Sequence, residues 1–117
     1  MTILDRETIL EADDLNRRRV QVPEWSGEVL VRALTAAERD AFEADCLQDD
    51  QSTVDLANVR AKLVARTVVD EEGDRVFRDS DVDALGRKSG AAVNRIWRVA
   101  SELSGITEED AEELAGN

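Results

Sequence analysis

Acids in abundance, one thiol and no imidazole are what this sequence could use for chemistry. There is no histidine among its 117 residues. A histidine general base, a Ser-His-Asp triad and a histidine-ligated metal are therefore excluded. The one cysteine, Cys46, can form no internal disulfide and no cysteine-based zinc site. It falls inside a helical pattern and reads as a small buried hydrophobe. A nucleophilic thiolate there would lack a neighbouring base to activate it. Glu24, Asp70 and Asp81 can be imagined as acid–base groups, but no paired carboxylates stand at helical spacing beside a nucleophile or glycine loop. The run Asp70-Glu71-Glu72-Gly73-Asp74 invites calcium. An EF-hand loop places its glycine sixth, whereas Gly73 is fourth from Asp70, so the run reads as a solvated turn. No catalytic residue, metal ligand set or cofactor site emerges.

What remains are side chains suited to contact. Trp25, Leu56, Val59, Leu63, Arg95 and Arg98 are the candidate partner-binding residues, and each has an intramolecular alternative. Trp25 either folds back over the core or stands out as an interface hot spot. Leu56, Val59 and Leu63 either pack internally or meet a partner's helix. Arg95 and Arg98, with Lys88, form a basic stripe that either pairs locally, for example Arg98 with Glu102, or receives an acidic partner segment.

Charge narrows the partners. Fifteen basic residues against 27 acidic ones leave a formal net charge of −12, which opposes binding to nucleic acid phosphates and anionic membranes. No apolar run approaches the ~20 residues of a membrane span. The N-terminus carries Asp5, Arg6 and Glu7, unlike a secretory signal. A reducing cytoplasm is the expected setting.

The elements that must position these residues follow from periodicity and punctuation. The length suits one domain. Residues 1–16 hold a short helical turn around Ile9 and Leu10, ended by Asp13 and Asp14. Residues 18–33 read as two strands. Val20 and Val22 share one face, as do Val29 and Val31; Pro23 ends the first strand, and Ser26-Gly27 turns the chain. The loop of this hairpin carries Trp25. Thr35-Ala36-Ala37-Glu38 is a capping box that opens a helix to about Leu47. "QDDQST" (48–53) is a polar loop.

Residues 54–68 form a helix with two apolar faces. Val54, Ala57, Ala61, Val64, Ala65 and Val68 line one; Leu56, Val59 and Leu63 line nearly the opposite one, and Asp55, Lys62 and Arg66 mark a solvent wedge. Such a helix is central to its fold. Val68-Val69 and Val76-Phe77 are the arms of a short second hairpin that turns at Gly73. Asp79 or Ser80 caps a short helix to about Leu85. Ser89 caps the last helix, which runs to about Leu103 with the stripe Val93, Ile96, Trp97, Ala100 and Leu103. Residues 107–117 contain five acids and no base, and are expected to be a mobile acidic tail. The expected fold is a mainly helical α+β single domain over 1–106, with a small N-terminal β-hairpin and a short second hairpin.

The run "VPEWSGEVLVRALTAAERDAFE" (22–43) resembles the front half of bacteriophage tail assembly chaperones from long-tailed phages. There a Val-Pro-Glu-Trp turn precedes a strand and a helix opening on Leu-Thr-x-x-Glu-Arg. The segment "LVARTVVDEEGDRVFRDSDVDALGRKSGAAVNRIWRVASELSGI" (63–106) is similar in its helix, Asp-Glu-x-Gly turn, following phenylalanine and closing amphipathic helix. Each motif is common alone; their order and spacing over roughly residues 12–107 are more specific.

The resemblance implies a non-enzymatic protein that binds and solubilises the tape measure protein and promotes polymerisation of tail tube subunits around it. It implies action in the host bacterial cytoplasm and absence from the mature virion. It also implies possible self-association and a longer form made by programmed frameshift; an end at Gly116-Asn117 is compatible with the short form. The family offers no catalytic constellation and no fixed partner-contact residues. The alternative is a structural head–tail joining or tail-completion protein retained in the virion. A DNA mimic is disfavoured because the acids are spread through loops and the tail.

Overall fold

The computed structural model describes residues 2–46 and 56–106. Among them are a three-stranded antiparallel sheet and five helices. The front hairpin is built as its alternation predicts. Strands β1 (Arg17–Val22) and β2 (Gly27–Arg32) pair from Arg17↔Arg32 to Val22↔Gly27. Between them Pro23–Trp25 makes one 3-10 turn, and Ser26 takes a left-handed conformation at φ 56° while its N–H donates to the Pro23 carbonyl at 3.0 Å. Strand periodicity puts Val20, Val22, Val29 and Val31 on one face. Val22 and Val31 are fully buried there, while Arg17, Arg19 and Gln21 on the other face are exposed.

The starts of the first, second and last helices lie at residues with local capping chemistry. Asp5 accepts from the Thr8 N–H (2.8 Å) at the head of α1 (Arg6–Glu11). The capping box opens α2 (Ala36–Cys46) reciprocally: Thr35 Oγ1 accepts from the Glu38 N–H (3.1 Å), and Glu38 Oε1 accepts from the Thr35 N–H (2.8 Å). α3 spans Leu56–Thr67 and α4 Val82–Gly86. Ser89 Oγ accepts from the Ala92 N–H (3.2 Å) to start α5 (Gly90–Ser104), and Gly105, at φ 70°, ends it.

The core lies where α5 covers the apolar face of β1 and β2 and where α3 packs against α5 and α4. Phe42, Leu63 and Ile96 are its largest fully buried apolar side chains. Each contributes about 1.5–3 kcal/mol relative to an exposed position. The expected stripe of α5 faces this core: Val93, Ile96 and Ala100 are buried, with Trp97 and Leu103 packed at its margin.

The structure differs from the sequence expectations in four places. First, the second hairpin shrinks to one bridge, Val69↔Arg75, with the Val76 N–H donating to the Val68 carbonyl. Its first arm, β3 (Val68–Val69), instead pairs antiparallel with β2 through Leu30↔Val69 and Val31↔Val68. Second, Arg66 is not solvent-facing. It is 8% exposed and bound at 2.5 Å to Asp45, while Lys62 donates to the Asp45 carbonyl. Third, Glu102 pairs with Arg18 (2.7 Å), not with Arg98. Fourth, residues 79–81 already form a 3-10 turn, headed by the Arg78 N–H donating to Asp81, so neither Asp79 nor Ser80 caps α4. The expected loop at 48–53, the helix start at Val54 and the tail at 107–117 lie outside the described residues.

Candidate functional site

The sequence candidates divide between the interior and one edge of the molecule. Val59 and Leu63 are 2% and 0% exposed and belong to the core, so the described part of the second apolar face of α3 is spent internally. They are unavailable to a partner while the domain is folded. Leu56 begins α3, but its side chain lies outside the described residues. Trp25 is half-buried and packs against the core, which is the fold-back alternative.

Arg95 and Arg98 remain at the surface. The Arg95 Nε donates to both oxygens of Glu24 (3.2 and 3.3 Å), joining α5 to the turn that carries Trp25. Arg98 has no ion-pair partner among the described residues. Both arginines line an open groove of about 440 Å³ between α5 and β1, together with Val20, Gln21 and Val99. The structure therefore brings Trp25, Arg95 and Arg98 to one side of the domain and separates them from Val59 and Leu63.

The acidic residues considered for chemistry all have structural employment. Glu24 holds Arg95, and Asp81 accepts from the Arg78 N–H. Asp70 Oδ1 accepts from the N–H groups of Glu72 (2.9 Å) and Asp74 (3.0 Å), organising its own turn. The exposed carboxylates of Asp70, Glu72 and Asp74 come within 4.8 Å of one another as a consequence of that turn. Burial is the main cause that pushes the Cys46 thiol up to about 11; the nearby Lys62 and Arg66 only partly oppose it. The thiol is thus protonated and inert at neutral pH.

Two surface features escaped the sequence reading. Ile3, Leu4, Ile9 and Leu10 are 54–96% exposed, and α1 buries none of its residues. The signal was present, since Ile9 and Leu10 lie beside acids in α1 and Ile3 and Leu4 just precede it; only the lack of a covering partner among the described residues was not legible. The Arg60 guanidinium also lies 5.9 Å from the Trp97 ring centroid, closing one side of that half-buried indole. No helix among the described residues is long and apolar enough to cross a membrane.

A family model described as phage tail assembly chaperone matches residues 5–116. The tail assembly chaperone of bacteriophage HK97 has a similar solved structure. Its TM-score is 0.60 at 16% identity, covering 87% of this chain and 95% of that one. At that identity the likeness concerns the fold. No curated protein sequence matches the chain.

Proposed function

This chain belongs to the phage tail assembly chaperone family, and from that premise we propose that it binds and solubilises the tape measure protein and promotes tail tube polymerisation around it. It does so by surface contact, without chemistry of its own. The family match across nearly the whole chain carries this reading. The physical character of the surface agrees with it. A net charge of −12 keeps a complex with a sticky client dispersed by mutual repulsion. Exposed Ile3, Leu4, Ile9 and Leu10 and the groove beside Arg98 provide apolar and basic contacts on that charged background.

In this reading the protein works in the host bacterial cytoplasm and leaves before the virion is complete. Residues 1–106 act as the domain and 107–117 as an acidic extension. Self-association and a frameshifted longer form would add copies and contacts to the same task. The test is a pull-down from infected cells with the tagged chain as bait, paired with mass spectrometry of purified particles. Recovery of the tape measure and tube proteins, with the bait missing from particles, is the expected result. Retention in particles without either partner would favour a head–tail joining or tail-completion role instead.

A further inference from the structure

We propose that the groove between β1 and α5 binds an extended, acidic segment of a partner chain, which adds to the free edge of β1 and places alternate carboxylates on Arg95 and Arg98. This deepens the chaperone reading by naming a surface and a partner chemistry, and it rests on that reading for the partner's role in tail assembly.

The backbone supplies the first reason. The strand order is β1-β2-β3, so β1 pairs with β2 and with no other strand among the described residues. Its outer edge therefore presents alternate N–H and C=O groups without a ladder partner. The groove touches both Val20 and Gln21. These neighbours point to opposite faces of the sheet, so a groove that touches both reaches the strand edge itself.

Side chains supply the second reason. Val20 and Val99 give the groove apolar contact, and Arg95 and Arg98 give it charge. α5 runs alongside β1 in the opposite sense: Arg18 near the start of β1 meets Glu102 near the end of α5, and Glu24 just beyond β1 meets Arg95. Arg95 and Arg98 are three residues apart on one helix face, about 5–6 Å between Cβ atoms. Same-face residues of an extended chain repeat at about 6.8 Å. An added strand with acids at alternate positions can therefore meet both arginines while its other residues face away. Arg95 already holds Glu24, but that pair is half-exposed and weak enough to exchange for an incoming carboxylate.

Charge also selects among occupants. A second copy would offer the strand RRRVQV, which has three arginines and no acid, so it would add positive charge beside Arg95 and Arg98 instead of neutralising them. Nucleic acid would have to approach a chain of net charge −12. An acidic extended segment satisfies the arginines and the edge together.

The test uses the full chain and fluorescein-labelled peptides of about ten residues, read by fluorescence anisotropy at low salt. One peptide alternates Glu and Val, one alternates Lys and Val, and one has the first composition in two blocks. Arg98→Glu is the main variant, because Arg98 is exposed, has no ion-pair partner among the described residues, and can be replaced without disturbing the core. Saturable binding of the alternating acidic peptide is expected, weakened about tenfold or more by Arg98→Glu. Slowed amide exchange in β1 on peptide binding is also expected. Absence of saturable binding, equal affinity for the block peptide or the Lys peptide, or indifference to Arg98→Glu would overturn the proposal. So would self-association that Arg98→Glu abolishes, which would give the groove to a second copy. A client held soluble by a chain that ignores the peptides would sink the groove and leave the chaperone reading standing. Peptide binding without client rescue would do the reverse.

Discussion

Arg95 donates to Glu24 at 3.2 Å, so the last helix is tied to the turn that carries Trp25. Two forces act at that corner, and their magnitudes differ. The ion pair is half-exposed and contributes about 0.5 kcal/mol or less. The indole beside it covers the core with a large apolar surface. Trp25→Ala should therefore cost about 2–3 kcal/mol, and Arg95→Ala under about 1 kcal/mol, in urea unfolding. Equal losses would mean that charge, not packing, holds the hairpin onto α5.

Leu63 is fully buried in α3. Leu63→Ala should lower stability by about 2–5 kcal/mol, through lost transfer energy and a residual cavity. Any loss of client binding in that variant should then track its unfolded fraction across temperature. A stable Leu63→Ala protein that no longer binds would contradict the internal role of this face.

Gly73 turns the chain at φ 92°, and a Cβ there would sit 2.8 Å from a guanidinium nitrogen of Arg17. Gly73→Ala should cost about 1–2 kcal/mol, mainly through the positive φ, because the Arg17 guanidinium is the mobile end of an exposed side chain and can swing aside. Combining it with Arg17→Ala removes the steric part and leaves the positive φ. Thermal unfolding of the single and double variants should show little recovery; full recovery would assign the cost to the contact and not to the backbone.

Burial pushes the Glu38 carboxyl upward, but the Thr35 N–H and the Arg32 guanidinium outweigh it and hold the group below its ordinary 4.5. A folded-state value below the unfolded one stabilises the fold when the group is charged. That contribution is complete above about pH 4.5 and disappears as pH falls through the depressed value. Urea midpoints of the native protein and Glu38→Gln should therefore differ at pH 7 and converge towards pH 3. A gap that widens on acidification would reverse the assigned role.

Features written in neighbouring residues were legible in the sequence. Thr35 and Glu38 share one turn, Ser89 sits one residue before α5, and the stripe from Val93 to Leu103 repeats on a helical period. Pairings between distant segments were not. Val68-Val69 is too short to show which strand it joins, and its partners Leu30 and Val31 lie far upstream. Arg66 looked like surface because its charge is visible in sequence, while the Asp45 carboxylate that compensates its burial is not. Helical spacing offered Glu102 to Arg98, but the fold presents Arg18 to it. For the candidate site, Arg95 and Arg98 were identifiable as basic residues on an acidic chain. That the β1 edge beside them has no strand partner among the described residues required the sheet order.

The most direct measurement is the soluble fraction of the tape measure protein when it is expressed alone or together with this chain, with each lysate separated by sedimentation. Co-expression should move most of the client from pellet to supernatant, in a complex that co-elutes with the chain. A client that stays in the pellet at every expression ratio, beside a folded and abundant partner, would contradict the account.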